Sequence, residues 1–295
     1  MSTPVGAPAR PSLPAAVSVR FCDAVALTLL LAKIVVSAGL VVAVTAVAER
    51  FGPRVGGLAA SLPQLAVVSL VFFGLEQGLP FAAESAFWNI AGICATIPFV
   101  IGYLAGASLA RRSRLASIAA GALTATALFA IASVLIGALA PSRLVVVSLA
   151  AALCAGTWWL FRRLPDTAPM RPVQVSPSML AVRAGLASVS VILFTSVAHA
   201  LGPKWSGVLT GYPVNTLPVI AVLHFHYGLD VARATMKIWP IGAFGICVFN
   251  LVAWLTVARL GLSASVPLGY LADFIYLLSL DAIRRTWQRR AMVQS

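Results

Sequence analysis

The chain has 295 residues, of which 60% are hydrophobic and 10% charged, with a mean hydropathy of +0.97 and a formal net charge of +13. A soluble domain carries about 45–50% apolar and about 25% charged residues, so this composition excludes an ordinary water-soluble core and points to a chain whose solvent is mostly lipid. The basic residues sit in short stretches between apolar runs and at the C-terminus, the positive-inside pattern, which argues against nucleic acid as a partner.

Residues 1–22 are rich in Pro, Ala and Ser with Arg10 and Arg20, and are expected to form a disordered tail with no cleavable signal peptide. A spanning helix needs about 20 apolar residues. Nine runs approach that length: 24–48, 56–75, 85–110, 115–140, 144–162, 179–200, 206–226, 234–258 and 262–281. Small residues at four-residue spacing, Gly102/Gly106/Ala110 in the third run and Ser148/Ala152/Gly156 in the fifth, predict close helix packing. Trp158 and Trp159, followed by Arg162 and Arg163, suit an interface anchor. Between Arg162 and Pro177 four prolines and mixed charge indicate a linker.

One stretch occurs twice at an offset of 150 residues. Gly52-Pro53-Arg54 and Gly57 lead to Pro63 and an apolar run ending at Gly78. Gly202-Pro203-Lys204 and Gly207 lead to Pro213 and a run ending at Gly228. The register extends to Lys33 with Arg183, Thr45 with Thr195 and Gly92 with Gly242. The expected fold is therefore an all-α integral membrane protein of about nine transmembrane helices. It would comprise two four-helix repeats, 23–140 and 178–282, joined by a linking helix and polar linker at 141–177, with a basic tail at 283–295. Five crossings separate the starts of the two copies, and an odd number inverts the second. Placing the N-terminus outside puts Arg111, Arg112, Arg114, Arg162, Arg163 and the four tail arginines inside, the preferred orientation in a cell inner membrane. Arginine far outnumbers lysine and alanine is abundant, a hint of GC-rich bacterial coding.

Pro63 and Pro213 lie early in the second helix of each copy. Discontinuous helices at matched positions are the best sequence pointer to a transporter site, whereas a proline kink alone serves packing. Gln64, Asn215 and Thr216 beside the breaks are candidate solute contacts. Lys33 and Arg183 are cations inside spans, which suits an anionic solute; the structural alternative is an ion pair with Asp273, itself a candidate proton-coupling group. His224, whose type titrates near neutrality, is a second coupling candidate; Glu49, Glu76, His199 and His226 are expected at interfaces.

The four cysteines have neither disulfide nor metal spacing, and no cofactor or metal is implied. No phosphate loop, Gly-x-Ser-x-Gly or His-Glu-x-x-His is present, so an enzyme is not expected. The segment from Gly207, with its Ser-Gly-Val-Leu-Thr-Gly-Tyr-Pro opening, to Gly228 resembles the small GlpM-type inner-membrane proteins over about thirty residues, and more weakly around Gly57 and Pro63. That resemblance implies an integral membrane module, here duplicated and fused, and no substrate. The functional expectation is a small secondary transporter or permease-like protein for a polar or anionic solute, with the bilayer as its partner and homo-oligomerisation compatible. The alternative is a non-transporting accessory protein of envelope or exopolysaccharide assembly.

Overall fold

A computed structural model of the chain describes residues 27–46, 50, 62–110, 112–139, 141–163, 177–237 and 239–294. The expected tail, the first glycine–proline turn at 52–57, Glu49 and the linker at 164–176 lie outside the described residues. The described residues are helical, with no strand among them, which is what lipid demands of a single chain: backbone N–H and C=O groups must be satisfied within the segment.

Among the described residues nine helices follow in order: α1 (Leu27–Ala46), α2 (Gln64–Glu76), α3 (Leu79–Leu109), α4 (Arg114–Leu139), α5 (Arg143–Phe161), α6 (Pro177–Thr210), α7 (Thr216–Tyr227), α8 (Leu229–Met236) and α9 (Trp239–Gln294). Among the described residues six segments are long and apolar enough to cross a membrane: α1, α3, α4, α5, α6 and the stretch Leu229–Leu280. The molecule is thus an α-helical membrane protein by length and composition. α3 is 78% buried across its apolar window, against 22–39% for the other five, so α3 is the central post and the rest present faces to lipid.

The runs expected at 56–75 and 206–226 take a different form. The first contributes α2, of 13 residues; the second is split between the end of α6 and α7, of 12 residues. At about 1.5 Å per residue neither short helix alone traverses a hydrocarbon core of about 30 Å. Helix α9 is one assignment but two legs. Gly261 adopts φ 73°, and beyond it the chain returns along itself: Phe249 meets Tyr270, Phe244 meets Tyr276, and the Tyr276 hydroxyl donates to the Ile241 carbonyl at 3.2 Å. This hairpin matches the runs 234–258 and 262–281. The tail from 283 continues as helix to Gln294.

α3 and α4 form a second antiparallel pair. A Cβ on Gly102 or Gly106 would collide with α4 at Thr124, Ala125 or Ala120, so this small-residue spacing does permit close approach. The spacing Ser148/Ala152/Gly156 does not: all three are exposed, and α5 instead buries Val146, Ala150, Cys154, Thr157 and Phe161. Trp159 is covered by the guanidinium groups of Arg162 and Arg163, at 5.5 and 4.5 Å from its ring centroid.

Candidate functional site

The second helix break is built on α3. α6 is kinked at Gly202 and ends at Thr210; Gly211 to Asn215 form turns, and α7 starts at Thr216. Glycines let the backbones touch here. A Cβ on Gly207 would collide with the Ser85 carbonyl, and one on Gly211 with Gly92. Acceptors at the break find donors on α3. Thr96 Oγ1 donates to the Gly211 carbonyl at 2.7 Å, and Asn89 Nδ2 to Thr210 Oγ1 at 2.6 Å. Asn250 Nδ2 on α9 then donates to Asn89 Oδ1 at 2.8 Å, closing a buried amide chain across three elements. Pro213 is buried, and its carbonyl accepts from the N–H groups of Thr216 and Leu217, both at 3.1 Å.

Pro63 stands at the start of α2. Pro63 is buried, and its carbonyl accepts from Val67 N at 2.9 Å. Both short helices end at a glycine in the left-handed region, Gly78 at φ 94° and Gly228 at φ 90°, which then caps the next helix. The first turns of α2 and α7 meet at one small cavity of about 10 Å3. Gln64, Leu65 and Asn215 line it, together with Ser37 and Val41 of α1 and Ala187 and Val191 of α6. Three pairs among these, Ser37 with Ala187, Val41 with Val191 and Leu65 with Asn215, are 150 residues apart. Gln64 Oε1 and Asn215 Oδ1 are both buried and have no hydrogen-bond partner. Beside them the Ser37 hydroxyl donates to the Lys33 carbonyl and to Ser188 Oγ, the latter at 3.3 Å.

Lys33 does not meet Asp273. Its ammonium pairs with Glu76 Oε1 at 2.7 Å and lies 5.7 Å from the Phe72 ring centroid. Glu76, expected at an interface, is a largely buried counter-ion at the end of α2, and it neutralises the cation expected to meet solute. Arg183 is half-buried, and its Nε has no hydrogen-bond partner. Asp273 is fully buried with neither oxygen partnered, seated where the absence of a side chain at Gly245 leaves room. Thr216 opens α7 beside the cavity.

His224, the second coupling candidate, is buried. The Tyr103 hydroxyl lies 3.2 Å from its Nδ1 and Ser117 Oγ 3.4 Å from its Nε2, so α7 is fastened to the α3–α4 pair. Arg114 donates to the Phe225 carbonyl at 2.9 Å, and Arg233 to Ser108 Oγ at 2.8 Å, at that same end. The opposite end is held by Arg143, which pairs with Glu84 at 2.9 Å and stands over Trp254 at 4.9 Å, and by Lys204, which donates to the Gly137 carbonyl over Trp88.

Of the sequence candidates, the structure brings Gln64 and Asn215 together at one cavity and sets Lys33, Arg183, Asp273 and His224 in separate surroundings. Asn89, Thr96 and Asn250 were missed, although two asparagines inside apolar runs are a readable signal. No group of three or more metal-ligating side chains occurs among the described residues. No family model, no curated protein and no solved structure matches the chain.

Proposed function

We propose that the chain is a small secondary transporter or permease-like protein of an inner membrane, built from two inverted four-helix repeats around a linking helix, α5, and moving a polar or anionic solute. The observation that carries this reading is the cavity at the starts of α2 and α7, lined by residue pairs 150 apart. A pseudo-two-fold axis in the membrane plane places equivalent residues of both copies around one central point, where transporters of this architecture hold their solute. The paired left-handed glycines, and the hairpin at Gly261 answering the α3–α4 pair, support the same duplication. In this reading α2 and α7 are the inner parts of discontinuous crossings, which raises the number of passes to nine with the N-terminus outside. Asp273, a carboxylate buried without a partner, is the group best placed to carry a coupling proton. The anionic preference falls to Arg183 alone, since Glu76 engages Lys33.

One observation favours the non-transporting accessory reading: Lys33 is occupied by Glu76. Proteoliposomes separate the two. The purified protein is expected to move at least one solute from a panel of small polyols and anions. Gln64→Leu and Asn215→Leu should each slow uptake at least tenfold, with helix content and thermal midpoint retained. A panel that stays outside wild-type vesicles, or variants that match the wild type, contradicts transport through this site.

A further inference from the structure

We propose that Arg183 binds a phosphate-type oxyanion, which stands to it as the Glu76 carboxylate stands to Lys33. The binding rests on the match between α1 and α6; that the same anion is carried across the membrane rests on the transport reading. Residues four apart share one face of a helix. On α1 the row Lys33, Ser37, Val41 and Thr45 is buried throughout. On α6 the row Arg183, Ala187, Val191 and Thr195 stands at the same positions, 150 residues later. Its last three members are buried and Arg183 is half-buried. The threonines closing the two rows make the same bond: Thr45 donates to the Val41 carbonyl and Thr195 to the Val191 carbonyl, both at 2.8 Å. The exposed residues of this part of α6 are others, Val182, Leu186, Val189 and Leu193. Both cations therefore belong to the packed face of their helix.

The match ends at the counter-ion. Glu76 neutralises Lys33 at 2.7 Å, but the residue 150 positions after Glu76 is His226, which is exposed and brings no carboxylate. Glu84 pairs with Arg143, Asp230 pairs with Arg233, and the Asp273 oxygens have no partner. Arg183 has no ion pair and no hydrogen bond among the described residues, and its Nε is shut away from solvent with no acceptor. Buried polar atoms are nearly always satisfied and an unpaired cation within a span is costly, so this guanidinium requires an acceptor from outside the chain. Its planar fork of donors fits two oxygens of one phosphate. Arg183 lies about 9 Å along α6 from Pro177, within a half-core of about 15 Å. A headgroup phosphate of the adjacent leaflet and a free phosphate entering from that side are the two sources of this chemistry.

Thermal unfolding in dodecyl maltoside, a detergent without phosphate, tests the site. Inorganic phosphate at about ten times its dissociation constant should raise the wild-type midpoint by about 3 °C over chloride of equal ionic strength. Arg183→Leu should lose that shift, whereas Arg259→Leu, which removes an exposed arginine of α9, should keep it. If Arg183→Leu does not fold, Arg183→Gln gives the same comparison. A second arm adds phosphatidylglycerol to the micelles, with diacylglycerol as the phosphate-free control. A shift with free phosphate assigns the site to a soluble anion, and a shift with phosphatidylglycerol alone assigns it to a lipid headgroup. No shift with either, or an equal shift in the folded Arg183 variant, overturns the site. Uptake of labelled phosphate into proteoliposomes is read separately. Binding without uptake supports the site and counts against phosphate as the transported solute; uptake undiminished in the Arg183 variant overturns the role of Arg183 in transport.

Discussion

Glu76→Ala should be among the most destabilising single substitutions in the membrane domain, because it strands a buried ammonium. Lys33 and Glu76 have side chains only 9% and 16% exposed and form a 2.7 Å pair. Removing one partner of a buried pair costs about 3–5 kcal/mol, most of it the desolvation of the charge left behind. Replacing both with apolar residues of similar size is about neutral or stabilising, since both desolvation terms vanish together. The double variant Lys33→Met with Glu76→Leu should therefore lie within about 1 kcal/mol of wild type, against a loss of about 3 kcal/mol for Glu76→Ala. Unfolding by SDS in mixed micelles, followed by tryptophan fluorescence, of the wild type, Lys33→Met, Glu76→Leu and the double variant gives the four corners of the cycle. A coupling energy of about 2 kcal/mol or more is expected; single-variant losses that sum to the double within about 0.5 kcal/mol would refute the pairing argument.

Three further outcomes follow from the geometry. Gly207→Val should cost about 1–3 kcal/mol in the same micelle assay, because its side chain meets the Ser85 carbonyl across a backbone contact that has no room to yield. Asn89→Leu leaves the Thr210 and Asn250 side chains without their partner and should lose about 1–3 kcal/mol, whereas Asn89→Leu with Asn250→Leu recovers part of the loss. Asp273→Asn should leave the thermal midpoint within a few degrees but abolish the response of solute uptake to an imposed pH gradient; a response equal to wild type removes Asp273 from coupling.

Much of the helical framework is legible in the chain because lipid leaves few options. Apolar runs of about 20 residues become helices, and Gly261 and the stretch after Leu109 mark returns that the run boundaries already suggested. Pro63 and Pro213 stand just before the short helices α2 and α7, as an interruption would require. What could not be read is which face of each helix is buried. Leu and Val are as content against lipid as against protein, so the pattern on α5 does not separate the exposed Ser148/Ala152/Gly156 stripe from the buried Val146/Ala150/Cys154 one. Ion-pair partners were equally hidden. The choice of Glu76 over Asp273 for Lys33 depends on how α1 lies against α2, and nothing in the spacing of either residue encodes that. The polar contacts at the breaks had a signal, Asn89 and Asn250 inside apolar runs, but their meeting with Thr210 is a property of the packed α3, α6 and α9.

The central claim is that Asn215 sits at a point reached alternately from the two membrane faces. Asn215→Cys, in a chain with its four native cysteines replaced by alanine, tests this through labelling by a membrane-impermeant maleimide in right-side-out and inside-out vesicles. The account predicts slow labelling from each face, with reaction from one face blocked when the protein is cross-linked closed on that side. Complete protection from both faces, with full reaction once the protein is unfolded, would mean that the cavity is static packing and would contradict it.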